Sequence, residues 1–208
     1  MFRSQHSAKP CGVSGSVSSQ QAGRERELPG GVVLWLFVAV ELLTFGLFFF
    51  TFALGRRVDP ASFAAGQAEL HPLLGMLNTC VLLTGGWLAA YGVLAHRRGR
   101  AGVVSTCFWG AAASGLVFMA IKLFEYVEVL GNGITFSTSN FWFHYLFVTG
   151  LHFLHVLAGV GFLVPTAWRA GRDAYGPEDS LTIEAVAVFW HLVDLIWVFL
   201  FPLFYLVR

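Results

Sequence analysis

Five apolar runs constrain this chain more than any other feature of its sequence. They extend from Val32 to Leu54, Leu73 to Leu94, Val103 to Phe124, Phe141 to Trp168 and Ile183 to Val207. Polar punctuation separates them, including Asp59-Pro60, Arg97-Arg98-Gly99-Arg100 and Gly131-Asn132-Gly133. Each run reaches the roughly 20 residues needed to cross a hydrocarbon core about 30 Å thick. In lipid only helices and closed barrels satisfy their own backbone polar groups. Runs of this length without two-residue alternation exclude the barrel. The expected fold is all-α: a polytopic membrane protein, with residues 31–208 forming one bundle of five transmembrane helices. Composition agrees, since only 12% of the 208 residues are charged and 56% are hydrophobic, whereas a soluble domain carries about a quarter charged residues.

The remaining 30 residues, rich in Ser, Gly and Gln with Pro10 and Pro29, read as a disordered polar tail. No stretch of signal-peptide length precedes Val32, and the first apolar run is too long for a signal h-region and is followed by Arg56-Arg57, so it is expected to stay as a span. Thirteen Lys and Arg against twelve Asp and Glu leave a net charge of +1, without the concentrated basic face that nucleic-acid binding requires. Soluble-enzyme readings fail on the same composition. Cys11, Cys80 and Cys107 form no CxxC pair, so neither a metal knuckle nor a disulfide framework is expected.

Basic residues near helix ends tend to remain cytoplasmic. Arg3, Lys9, Arg24, Arg26, Arg97, Arg98, Arg100, Arg169 and Arg172 fall on one side, while Arg56, Arg57 and Arg208 fall on the other. Lys122 is expected to snorkel outward from a helix end. The amino end is therefore expected in the cytoplasm and the carboxyl end in the periplasm. Gly110 with Ser114, and Ala111 with Gly115, would let the third span approach a neighbour closely.

Ionisable groups inside a bilayer cost several kcal/mol unless paired or hydrated, so each marks a candidate functional position. At about 1.5 Å per residue, Glu41 lies roughly 14 Å into the first span, and His191 and Asp194 lie roughly 12 and 16 Å into the fifth. His144, His152 and His155 share one face of the fourth span, and Glu184, His191 and Asp194 share one face of the fifth. Glu41, His152, His155, Glu184, His191 and Asp194 are the expected intramembrane polar network. Three uses are open to it: a structural network that fixes helix register, a proton relay, or haem ligation by His152 opposite His191. The first is favoured, because such histidines pair with carboxylates more cheaply than they require a cofactor. Glu41, Trp190 and Trp197 are expected at lipid or at a partner.

Several segments carry a family resemblance. FVAVELLTFGLFFFTF around Glu41, TGLHFLHVLAG from Thr149, and IEAVAVFWHLVDLIWVFLFPLFY from Ile183 resemble helices of the cytochrome c oxidase subunit III family. KLFEYVEVLGNGITFSTSNFWF, with Glu125 and Tyr126, is similar to the segment between those blocks. Five spans rather than seven, with HPLLGMLNT after the first, look most like the short NorE-type form associated with bacterial nitric oxide reductase; short oxidase subunits III are a near alternative.

The resemblance implies a non-catalytic accessory subunit of a bacterial inner-membrane respiratory complex, in aerobic or denitrifying electron transport. Such a subunit holds no haem or metal itself and docks on a haem-copper catalytic subunit that does. It also implies phospholipid binding, support of oxygen access and proton uptake, and protection against turnover inactivation. Glu41 matches the glutamate beside the family's lipid cleft, which forms between the first two helices of the longer members and the rest of the subunit; this chain lacks those two helices. Readings from other classes are an independent haem-binding membrane cytochrome and a small proton-coupled transporter, the latter disfavoured because no internal repeat is visible.

Overall fold

A computed structural model describes residues 31–172, 175 and 180–207; the expected tail over residues 1–30 lies outside the described residues. Helix α1 spans Gly31–Val58, α2 Pro60–Ala68, α3 Pro72–Arg97, α4 Ala101–Gly131, α5 Asn140–Ala170 and α6 Ser180–Phe201. A π-helical turn, Pro202–Leu206, continues α6. Five of these elements are long and apolar enough to cross a membrane, and no strand occurs among the described residues.

The helices outrun the apolar segments. The fourth element continues from Phe124 to Gly131 through Glu125, Tyr126 and Glu128, because hydropathy marks the part of a helix matched to lipid and not the end of its hydrogen-bond ladder. The polar punctuation after the first run also contains a helix of its own. In α2, Pro60 occupies the first turn, where its missing N–H costs nothing, and Asp59 Oδ1 accepts from Ser62 N at 3.1 Å. The Asp-Pro pair is thus a helix start as well as a loop marker.

Helices α3, α4 and α5 form an antiparallel core, and α6 closes it against α3 and α5. Helix α1 lies outside, against α5 and α6. Its buried residues, Val38, Phe45 and Phe52, recur every seven positions and make one narrow stripe. Glu41, Phe48 and Phe49 flank that stripe, half-buried against α5 and α6, and most of the remaining surface is exposed.

In lipid there is little hydrophobic drive between helices, so close van der Waals packing must hold them. Glycines supply it here. A Cβ added to Gly115 would fall 2.6 Å from Val160 and 2.7 Å from the Trp190 ring, and one added to Gly159 would fall 2.8 Å from that ring. Gly85 brings α3 against Ser114 and beside the Trp190 nitrogen. Gly110 and Ser114, expected to let α4 approach a neighbour closely, both face α3, Gly110 against Leu88 and Ser114 against Gly85. Trp190 and Trp197, expected at lipid or a partner, are 0% and 1% exposed. The indole of Trp190 fills the space that three glycines leave open, while Phe118 meets the Trp197 ring edge-on at 4.7 Å.

Candidate functional site

The end of the bundle that holds Val58, Pro72, Gly131 and the π-helical turn contains a buried ion pair. Lys122 lies on the buried face of α4, which carries Phe108, Ala111, Gly115, Phe118 and Glu125 at helical spacing. It is fully buried, which corrects the expectation that it snorkels outward. The physical reason is that its three N–H donors each find an acceptor inside. Lys122 Nζ donates to Glu125 Oε2 at 3.0 Å, to Tyr145 Oη at 2.9 Å and to Tyr205 Oη at 2.8 Å. Tyr205 Oη in turn donates to Glu125 at 2.9 and 3.0 Å. The rings of Tyr126, Tyr145, Trp197 and Tyr205 surround the ammonium at 4.7–5.4 Å, within cation–π range.

This cluster also anchors the end of the chain. Gln67 Nε2, on α2, reaches the Leu203 and Phe204 carbonyls of the π-helical turn at 3.2 and 3.3 Å. Arg56, on α1, donates to the Val207 carbonyl. A cavity of about 230 Å³ leads in from the same end; Glu69, His71, Glu128 and Asn132 line it along with Glu125. At its rim His71 Nε2 lies 3.2 Å from Glu128 Oε1.

The six residues expected to form one network separate into two pairs, one carboxylate that pairs with Arg97 instead, and a single histidine. Glu41 Oε2 lies 3.3 Å from His155 Nε2, joining α1 to α5. The other ring nitrogen of His155 donates to the Leu151 carbonyl at 2.9 Å. A bond at Nε2 then needs a second proton, carried by an imidazolium or by the carboxyl group. Glu184 pairs with Arg97 at 2.9 Å near the opposite end of the bundle. His191 Nδ1 and Asp194 Oδ2 stand 3.9 Å apart on α6, too far for a hydrogen bond.

His152 meets none of these. Its ring is stacked on Trp197 at 5.3 Å and edged by Phe118 at 5.6 Å, fully buried, with neither nitrogen hydrogen-bonded. Shared depth and a shared helix face were legible in the sequence, but whether two faces meet depends on how each helix is rotated. The Lys122 cluster was missed, although Lys122 and Glu125 at i and i+3 are a recognisable helical pair. Its two tyrosines come from other helices, and nothing local marks them. Among the described residues no group of three or more His, Cys, Asp and Glu is placed to hold a metal ion.

Residues 23–207 match the family described as cytochrome c oxidase subunit III. The chain belongs to the cytochrome c oxidase subunit III family. It is 33% identical over 177 residues to the cytochrome c oxidase subunit 3 of Synechocystis sp., covering 85% of this chain and 74% of that one. It is 26% identical over 200 residues to a probable cytochrome c oxidase subunit 3 of Nocardia farcinica, covering 95% and 98% of the two chains. It is also 28% identical over 182 residues to the heme-copper oxidase subunit I+III of Aeropyrum pernix, covering 84% of this chain but 22% of that longer one. In this subunit III chain the matched region therefore takes in all five spans, the Glu41–His155 pair and the Lys122 cluster.

Proposed function

We propose that this chain is a non-catalytic subunit III of a haem-copper respiratory oxidase, held in the bacterial inner membrane against the catalytic subunit. The carrying observation is its likeness to the Aeropyrum pernix protein, whose name joins a subunit I and a subunit III in one polypeptide. Haem and copper are assigned to the partner. The enclosure of His152 between Phe118 and Trp197 supports that assignment, since a porphyrin needs an open face at the ligating nitrogen. Bound phospholipid belongs to the same reading. So does an amino end in the cytoplasm and a carboxyl end in the periplasm, which follows from nine Lys and Arg residues on one side.

Length does not favour a nitric oxide reductase partner over an oxidase. The Nocardia farcinica relative, named as a probable oxidase subunit, is covered over 98% of its own length by this chain. The test is purification of the tagged chain from its native membrane in mild detergent, with mass spectrometry of what accompanies it. An oxygen-reducing haem-copper subunit I is the expected companion. A nitric oxide reductase core would move the chain to the denitrifying form, and recovery alone with a Soret band would make it a cytochrome.

The Glu41–His155 pair carries a second expectation. Glu41→Gln keeps the shape beside His155 but removes the charge. The complex should assemble normally and lose activity faster during continuous turnover, as followed by substrate consumption over time. Wild-type decay kinetics would remove Glu41 from the protective role.

A further inference from the structure

A shallow groove of about 410 Å³ runs between α3 and α6 on the outer surface of the bundle. Leu83, Trp87, Leu195 and Val198, all exposed, form its walls, and His191 and Asp194 lie within it. Asp194 is buried at the floor, with its side chain 7% exposed. Gly86 makes this arrangement possible, because any side chain there would collide with the carboxylate. Asp194 Oδ1 is buried without a hydrogen-bond partner, and Oδ2, the oxygen at the groove, has no hydrogen bond either, standing 3.9 Å from His191 Nδ1. A carboxylate at the floor of an apolar groove, with neither oxygen hydrogen-bonded, is costly unless something outside the chain supplies a donor to Oδ2.

Depth narrows the choice of donor. Asp194 lies about 21 Å from the Ser180 end of α6 and about 18 Å from Leu206 at the helical rise. Phospholipid headgroups sit about 15 Å from the centre of a hydrocarbon core roughly 30 Å thick, and acyl chains carry no donors. A transmembrane helix of another subunit does reach this depth. Its side chains can fill a groove walled by Leu, Val and Trp, and interhelical hydrogen bonds from polar side chains are a normal part of such packing.

We infer that the α3/α6 groove seats a transmembrane helix of the catalytic subunit, which presents an N–H or O–H donor to Asp194 at mid-membrane depth. The inference rests on the proposed function and deepens it by assigning the docking face. The polar pair distinguishes this face from the uniformly apolar outer side of α1, where Leu43 and Leu47 are exposed with no ionisable neighbour beyond Glu41, itself paired with His155.

Site-specific photocross-linking in the native membrane tests it, with the full tagged chain carrying a photoreactive residue at Leu195 or Val198. Leu43 and Leu47 serve as comparison positions. The expected result is an adduct with the haem-copper catalytic subunit from the groove positions. In parallel, Asp194→Leu should lower the co-purified fraction of that subunit about threefold, in line with a typical interhelical hydrogen bond. Asp194→Asn keeps an acceptor oxygen and should stay near wild type. Adducts at Leu43 and Leu47 with silent groove positions would overturn the inference, and so would groove adducts with a second copy of this chain alone. Co-purification by the unsubstituted chain is read separately. If the catalytic subunit accompanies that chain while the groove stays silent, only the docking face is wrong. If no such subunit accompanies it, the proposed function falls and the docking face falls with it.

Discussion

Lys122→Met should destabilise the protein by about 3–5 kcal/mol, the cost of removing one partner of a buried ion pair. The substitution matches the length of the side chain but strands the Glu125 carboxylate in the core, with the Tyr205 hydroxyl as its remaining donor within the cluster. It also deprives Tyr145 and Tyr205 of the proton donor they share. Because Tyr205 holds the π-helical turn onto α4, loosening should begin at the carboxyl end. The measurement is thermal unfolding of the purified protein in detergent, together with its accumulation in the membrane. Replacing both partners, Lys122→Met with Glu125→Leu, should recover most of the loss, because two apolar groups carry no desolvation cost. A single variant as stable as wild type would mean that the ion pair contributes nothing to holding α4, α5 and the final turn together.

Trp190→Ala is expected to be the most damaging change in the apolar core. Loss of a large buried side chain costs about 3–5 kcal/mol in soluble proteins. Lipid tails are as apolar as a helix interior, so the transfer part of that cost shrinks in a membrane and the lost packing contacts remain. The lower figure, about 3 kcal/mol, is the reasonable expectation. The glycine cradle makes a second demand on the same explanation. Gly159→Val would press into the Trp190 ring, already only 2.8 Å from an added Cβ, and should cost about 1–3 kcal/mol by overpacking. Both losses are read from unfolding temperatures in a single detergent. If Trp190→Ala unfolds at the wild-type temperature, the tryptophan faces lipid, as its position in an aromatic-rich final span first suggested.

These two sites show where sequence reasoning reached and where it stopped. Spans were legible because a helix crossing lipid must be continuously apolar over a known length, and α1, α3, α4, α5 and α6 obey that rule. The start of α2 was equally present in Asp59-Pro60, whose capping chemistry is local. Glu41 and His155 could be placed at similar depths by counting residues, and the two do meet.

Rotation about each helix axis was not legible. In a soluble bundle the apolar face identifies the inside; among these spans both the lipid face and the core face are apolar, so Trp190 and Leu195 give the same signal although one is buried and the other exposed. Lys122 was misplaced for the same reason, since its acceptors Tyr145 and Tyr205 lie on other helices. The sequence by itself determined the number of spans, their helical nature and the depth of each charge, because lipid thickness and backbone hydrogen bonding act on every residue locally. Only the tertiary structure decided which charges meet, because small residues such as Gly85, Gly115 and Gly159 set how closely and at what rotation the helices pack, and that is a property of pairs of helices.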